Sequence, residues 1–141
     1  MTSVREVSNV LHSNLVERSG LAMAVERLID AARSKTDATV TLEIANEKRY
    51  DPELAGAVFR ILEEALDNAV RHSGANRIDV LVHAGANALT AEVADNGTGF
   101  DLPAQRGAGL LLAQTRATSA GLKFLIESGS GQGTIIRIKT S

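Results

Sequence analysis

Eight of the chain's 12 glycines fall between Gly97 and Gly133, most of them in close pairs. Glycine clustered in this way marks backbone that must turn tightly or approach another group closely. The segments around the cluster carry the periodicities of regular elements, so the glycines sit at element ends and in connections. With 141 residues and 44% hydrophobic content, the chain suits one folded domain with a sizeable core.

The apolar positions predict helices and strands in mixed order. Leu21, Val25, Leu28, Ile29 and Ala32 recur at helical spacing, which predicts an amphipathic helix over about 21–34. Val40, Leu42 and Ile44 alternate with polar neighbours as a strand does. Asp51-Pro52-Glu53 is a helix start: a capping aspartate, a proline whose missing N–H costs nothing at the first helical position, then an acid. Leu54, Val58, Ile61, Leu62, Ala65 and Ala69 carry that helix to about His72, where Gly74 can end it. Ile78, Val80 and Val82, then Leu89, Ala91 and Val93, predict two strands joined near Gly85. A helix from Leu110 to Ala120 should stop at Gly121, and Phe124–Ile126 with Ile135–Ile138 should form a terminal hairpin. Strands outnumber crossover helices, so the expected fold class is α+β: a mixed, mostly antiparallel sheet with helices covering one face.

Composition removes several function classes. The absence of cysteine excludes disulfides, thiolate metal sites and a cysteine nucleophile. A net charge of −2 and 3% aromatics give neither the basic footprint nor the stacking platforms of a nucleic-acid binder. No apolar run approaches the roughly 18–20 residues of a spanning helix, and the N-terminus lacks a signal peptide's apolar stretch. A soluble, cytoplasmic domain that contacts neither nucleic acid nor membrane is the expectation.

The chemistry-bearing residues lie on the central helix and in the glycine cluster. Glu64, Asn68, Arg71 and His72 fall within an arc of about 100° on one side of that helix. They could face a polyanion with a metal, or form a solvated face of i, i+4 pairs; the helix alone leaves both readings open. Asp95-Asn96-Gly97-Thr98-Gly99 ends an apolar strand, where Asn-Gly would suit a hairpin turn. No alternating strand follows. Instead a loop, Phe100 to Arg106, leads to Gly107-Ala108-Gly109-Leu110 at a helix start, where free amides and the positive helix end suit phosphate. Neither a P-loop nor a dinucleotide fingerprint is present, since no Gly-Lys-Ser/Thr occurs and Leu112 stands where a third glycine is needed. Gly131-Gln132-Gly133-Thr134 alone reads as a hairpin turn.

In order, these segments resemble the GHKL ATP-binding superfamily of gyrase, heat-shock chaperone, histidine kinase and MutL, whose α/β sandwich is the Bergerat fold. Glu64-x-x-x-Asn68 resembles its N box. Asp95-x-Gly97-x-Gly99, Gly107-x-Gly109-Leu110 and Gly131-Gln132-Gly133-Thr134 resemble its three glycine boxes. Asn68-Ala69-Val70-Arg71-His72-Ser73 and the brief lid from Phe100 to Arg106 are similar to sensor histidine kinases of the short-lid subgroup that works with NarL-type response regulators. The chain departs from that subgroup at Leu122 and Ala113, where glycine and methionine are usual; both positions are expected to pack.

The resemblance implies a protein histidine kinase's catalytic domain over 21–141, with 1–20 as the link from a dimerisation helix. ATP and Mg²⁺ are the implied cofactors. Asp95 would accept a hydrogen bond from adenine's amine, with Gly97 close to the base and Gly133 and Thr134 at its edge. Asn68 would ligate Mg²⁺. Arg71 and His72 would contact phosphate or ribose. Gly99, Gly107, Gly109 and Leu110 would shape the lid and expose amides to phosphate, and Glu64 would orient or deprotonate the nucleophile. Partners would be a histidine-bearing dimerisation domain and, through it, a response regulator, the isolated domain being a monomer. His12, His72 and His83 are followed by Ser13, Ser73 and Ala84, none of them acidic, so the phosphoacceptor is expected elsewhere. A stand-alone serine kinase of the anti-sigma-factor type is the alternative within the same fold.

Overall fold

The computed structural model describes residues 20–72, 74–97, 108–128 and 133–140, apart from the side chains of 72 and 108–110. Helix α1 (20–33) precedes β1 (Thr39–Asn46), α2 (Pro52–His72), β2 (Arg77–Ala84), β3 (Leu89–Asp95), α3 (Ala108–Ser119), β4 (Leu122–Ser128) and β5 (Thr134–Thr140). Every element predicted within the described residues is present, most within two residues of its expected ends, while the 1–20 link lies outside them but for residue 20. Ala55 closes the first turn of α2 by donating to the Asp51 carbonyl at 2.9 Å, as a capping residue at 51 requires. Gly74 and Gly121 follow α2 and α3 with φ of 65° and 75°, the left-handed conformation that ends a helix.

The five strands form one sheet in the order β1-β2-β3-β5-β4. Only β1 and β2 are parallel, with α2 as their crossover; the other pairs are antiparallel. Val80, Val93, Ile136 and Ile126 lie side by side across four strands, as do Val82, Ala91, Ile138 and Phe124. These rows face the helices. The alternate rows, such as Leu81, Glu92, Arg137 and Leu125, form the other face, where an Arg137–Glu92 ion pair at 3.0 Å bridges β5 and β3.

The core joins this apolar sheet face to Val58, Phe59, Ile61, Leu62 and Leu66 of α2 and Val25 and Ile29 of α1. Each large side chain so buried contributes roughly 1.5–3 kcal/mol. Where α3 packs on α2 and β4 its buried residues are Ala113 and Ala117, both fully enclosed, so the helix sits close. Leu122 is buried too, and both departures from the family pattern therefore pack as expected.

The topology sends several element ends to one edge of the sheet. Asp95 ends β3 beside Ile78 at the start of β2, and Thr134 opens β5 beside both Asp95 and Ser128. Helix α2 ends five residues before β2 begins, so its C-terminal half reaches this edge. Helix α3 ends close to Leu122, which pairs with Thr140 at the opposite edge, so its N-terminus points back toward Asp95.

Candidate functional site

Asp95 and Thr134 continue the rows that face the helices, at the point where the apolar residues of β3 and β5 run out. Burial pushes the Asp95 carboxyl above its ordinary range, and hydrogen bonds from the Gly97 and Thr134 amides oppose that rise. The Gly97 N–H lies 2.9 Å from Asp95 Oδ1. The carboxylate is thus held by backbone donors rather than by a cation, and its remaining lone pairs suit a neutral donor.

Gly133 is required by space as well as by conformation. Its φ is 77°, and a Cβ there would stand 2.2 Å from the Asp95 carbonyl oxygen. The strand carrying Asp95 therefore passes against bare backbone. Thr134 is buried, and its hydroxyl lies 2.9 Å from Ser128 Oγ, which also donates to the Gly133 carbonyl at 3.1 Å. Sequence reading did not single out Ser128 for a role; only the β4–β5 register brings it beside Thr134.

Asn96 was also passed over. Its Oδ1 accepts from the amides of Asn76 and Arg77 at 3.1 and 3.0 Å, and its Nδ2 donates to Asn76 Oδ1 at 2.6 Å. The side chain ties the turn after Asp95 to the start of β2. The asparagine that suggested a hairpin turn is instead a clamp between strands distant in sequence.

On α2, Glu64 and Asn68 are half-buried one turn apart, in the half of the helix that runs to the Asp95 edge. Arg71 is exposed, its Nε donating to Asp67 Oδ1 at 2.9 Å. Arg71 is thus held in a surface pair of the solvated-face kind, worth little energy and easily exchanged for another anion. Gly109 and Leu110 lie in the first turn of α3, whose amides have no partner within the helix and face the same edge. The side chain of His72, Gly99, Gly107, the Phe100–Arg106 lid and His12 lie outside the described residues.

Among the described residues no three His, Cys, Asp or Glu gather to hold a metal. Among the described residues, α2 brings to this edge the amide oxygen of Asn68 and the carboxylate of Glu64. Oxygen donors this few fit Mg²⁺, which keeps waters and takes its remaining ligands from phosphate. Between the first half of α2 and the second half of α3 lies a cavity of about 950 Å³, lined by Asp51, Arg60, Thr115, Arg116 and Ser119 among others. It is at the far end of the helix pair from Asp95 and contains none of the predicted site residues. Arg116 Nε is buried there without a hydrogen-bond partner.

Residues 53–141 match the model of the histidine kinase-, DNA gyrase B- and HSP90-like ATPase family. An uncharacterized sensor-like histidine kinase of Chloroflexus aurantiacus is 33% identical over 146 residues, covering 96% of this chain and 24% of that protein. The sensor histidine kinase LiaS of Bacillus subtilis is 30% identical over 126 residues, covering 88% and 35%. The oxygen sensor histidine kinase NreB of Staphylococcus carnosus is 33% identical over 95 residues, covering 65% and 27%. The chain thus spans a quarter to a third of the length of these relatives. Among solved structures, the histidine kinase domain of the Erythrobacter litoralis EL346 blue-light activated kinase superposes with a TM-score of 0.70 at 19% identity, covering 86% of this chain and 59% of that one. The Acinetobacter baumannii kinase AdeS gives 0.67 at 18%, covering 97% and 77%. At such identities these two show the fold, and it is the Bergerat fold of histidine kinase domains.

Proposed function

Because the chain belongs to the histidine kinase-, DNA gyrase B- and HSP90-like ATPase family, as an ATPase domain of the sensor histidine kinase kind, we propose that it binds Mg·ATP at the Asp95 edge and supplies the γ-phosphate to a histidine on a dimerisation domain. The observation that carries this reading is the half-buried Asp95 carboxylate, held by the Gly97 and Thr134 amides against the bare backbone of Gly133.

Asp95 accepts a hydrogen bond from adenine's exocyclic amine. Guanine presents a carbonyl oxygen there, and two acceptors face to face leave a partly buried carboxylate unpaired, which selects against it by an estimated ~10³-fold or more. The amides at the start of α3 take phosphate oxygens. Asn68 offers one oxygen to Mg²⁺, which would neutralise phosphate charge during transfer. Glu64, one turn earlier, orients or deprotonates the attacking group. Arg71, released from Asp67, meets phosphate, and His72 meets ribose or phosphate.

Residues 1–20 are read as the link from a dimerisation helix and 21–141 as the catalytic domain, a monomer by itself. The acceptor histidine lies on an upstream or separate domain, from which a response regulator takes the phosphate. Incubation with γ-labelled ATP tests this: an added histidine-bearing dimerisation domain should gain acid-labile label while this chain gains none. Acid-stable phosphoserine on a partner would move the chain to the anti-sigma-factor type, and acid-labile label on this chain alone would refute the division of labour.

A further inference from the structure

The hydroxyls of Ser128 and Thr134 form a pair whose direction can be deduced. A hydroxyl carries one hydrogen and two lone pairs. Ser128 donates its hydrogen to the Gly133 carbonyl at 3.1 Å. The 2.9 Å contact between Ser128 Oγ and Thr134 Oγ1 is made at the same time as that bond when Thr134 is its donor, and this is the arrangement that satisfies both. That spends the only hydrogen of the Thr134 hydroxyl and leaves it an acceptor toward anything else. Asp95, being a carboxylate, also offers only lone pairs. The two residues pair directly across β3 and β5, so their side chains set two acceptors next to each other.

Resting on the adenine-site reading above, we propose that Ser128 is a positioning residue for base selection. By taking the Thr134 hydrogen, it fixes the hydroxyl as a second acceptor beside Asp95. The edge then demands a donor at purine position 6, met directly or through a water, and repels a 6-oxo group twice rather than once. Without Ser128, the Thr134 hydroxyl is free to turn and donate to a 6-oxo oxygen, so selectivity falls although Asp95 is intact.

The test compares Mg·ATP with Mg·ITP binding to the 141-residue chain by calorimetry. ITP differs from ATP in its 6-oxo group and the adjoining ring N–H, and lacks guanine's 2-amino group. Ser128→Ala should lower the ATP-to-ITP affinity ratio by about three- to tenfold, the value of one hydrogen bond gained by the wrong base. Ser128→Thr, which keeps the hydroxyl on a strand-compatible side chain, should restore the parent ratio. In a Thr134→Val background, Ser128→Ala should leave the ratio unchanged. If Ser128→Ala does not fold, Ser128→Cys, close in size and a poor acceptor, should lower the ratio in the same direction. A merely structural Ser128 would weaken both nucleotides together, and an unchanged ratio in the folded variant overturns the proposal while leaving the adenine site standing. If the parent chain binds no ATP, the adenine-site reading fails and the inference fails with it.

Discussion

Replacing Gly133 by alanine should damage both fold and site, and the structure separates the two costs. The first is conformational: at φ 77° an L-residue pays about 1–2 kcal/mol. The second is steric. The new Cβ would stand 2.2 Å from the Asp95 carbonyl oxygen and 3.2 Å from Asn96 Cα. Relief needs a shift of about 1 Å, and the obstacle is backbone, which cannot swing aside as a side-chain tip can. Displacement of that kind in a packed region costs about 1–3 kcal/mol more. The expected total is about 2–5 kcal/mol. Gly121→Ala supplies the control, because its φ is 75° and a Cβ there meets nothing within 4 Å. It should pay only the conformational part. Urea denaturation of both variants gives the difference, and Mg·ATP titration should show binding lost in Gly133→Ala and kept in Gly121→Ala. Equal stability losses in the two variants, with nucleotide binding kept in both, would refute the close approach of Gly133 to Asp95.

Asp95→Asn should weaken ATP binding at least tenfold, since half of its amide is a donor facing the adenine amine. The unliganded fold should not suffer. Burial raises the Asp95 pKa on folding, so stability from its protonated form is present below the ordinary aspartate pKa and lost as pH rises through the folded value. The neutral asparagine escapes that loss, and a lower melting temperature at neutral pH would contradict the argument. Gly56 lies inside α2 with open space around its would-be Cβ, so Gly56→Ala should stabilise the fold by about 0.5–1 kcal/mol in denaturant titration. Ala113→Leu should destabilise it by about 1–3 kcal/mol, because Ala113 is fully enclosed where α3 packs; a neutral effect would show that α3 is free to move away.

The elements were legible because their apolar residues keep strict period. Asp51-Pro52 marked the start of α2, and Val80, Val93 and Ile136 fell on the face their alternation predicted. Asp95 and Gly133 were each noticeable, but their contact depends on the β3–β5 register, which no local pattern carries. Ser128 belongs to a stretch, Ile126-Glu127-Ser128, that shares in the family resemblance, but its place beside Thr134 depends on the β4–β5 register in the same way. Asn96 was misleading in a different way. Its local signal favoured a turn, while its side chain is committed to Asn76 and Arg77, some twenty residues earlier. Arg71 shows the limit of a helical-wheel argument: the arc placed it with Glu64 and Asn68, yet Asp67 on the neighbouring arc holds it.

The central claim is that nucleotide binds at the Asp95 edge and not in the cavity between the first half of α2 and the second half of α3. Titrating the isotope-labelled chain with Mg·ATP while following its amide NMR signals tests both statements in one measurement. The account predicts saturable shifts concentrated at Asn68, Gly97, Ser128 and Thr134, with no comparable response to Mg·GTP. Shifts centred on Arg60, Thr115 and Arg116, or no saturable shifts at all, would contradict it.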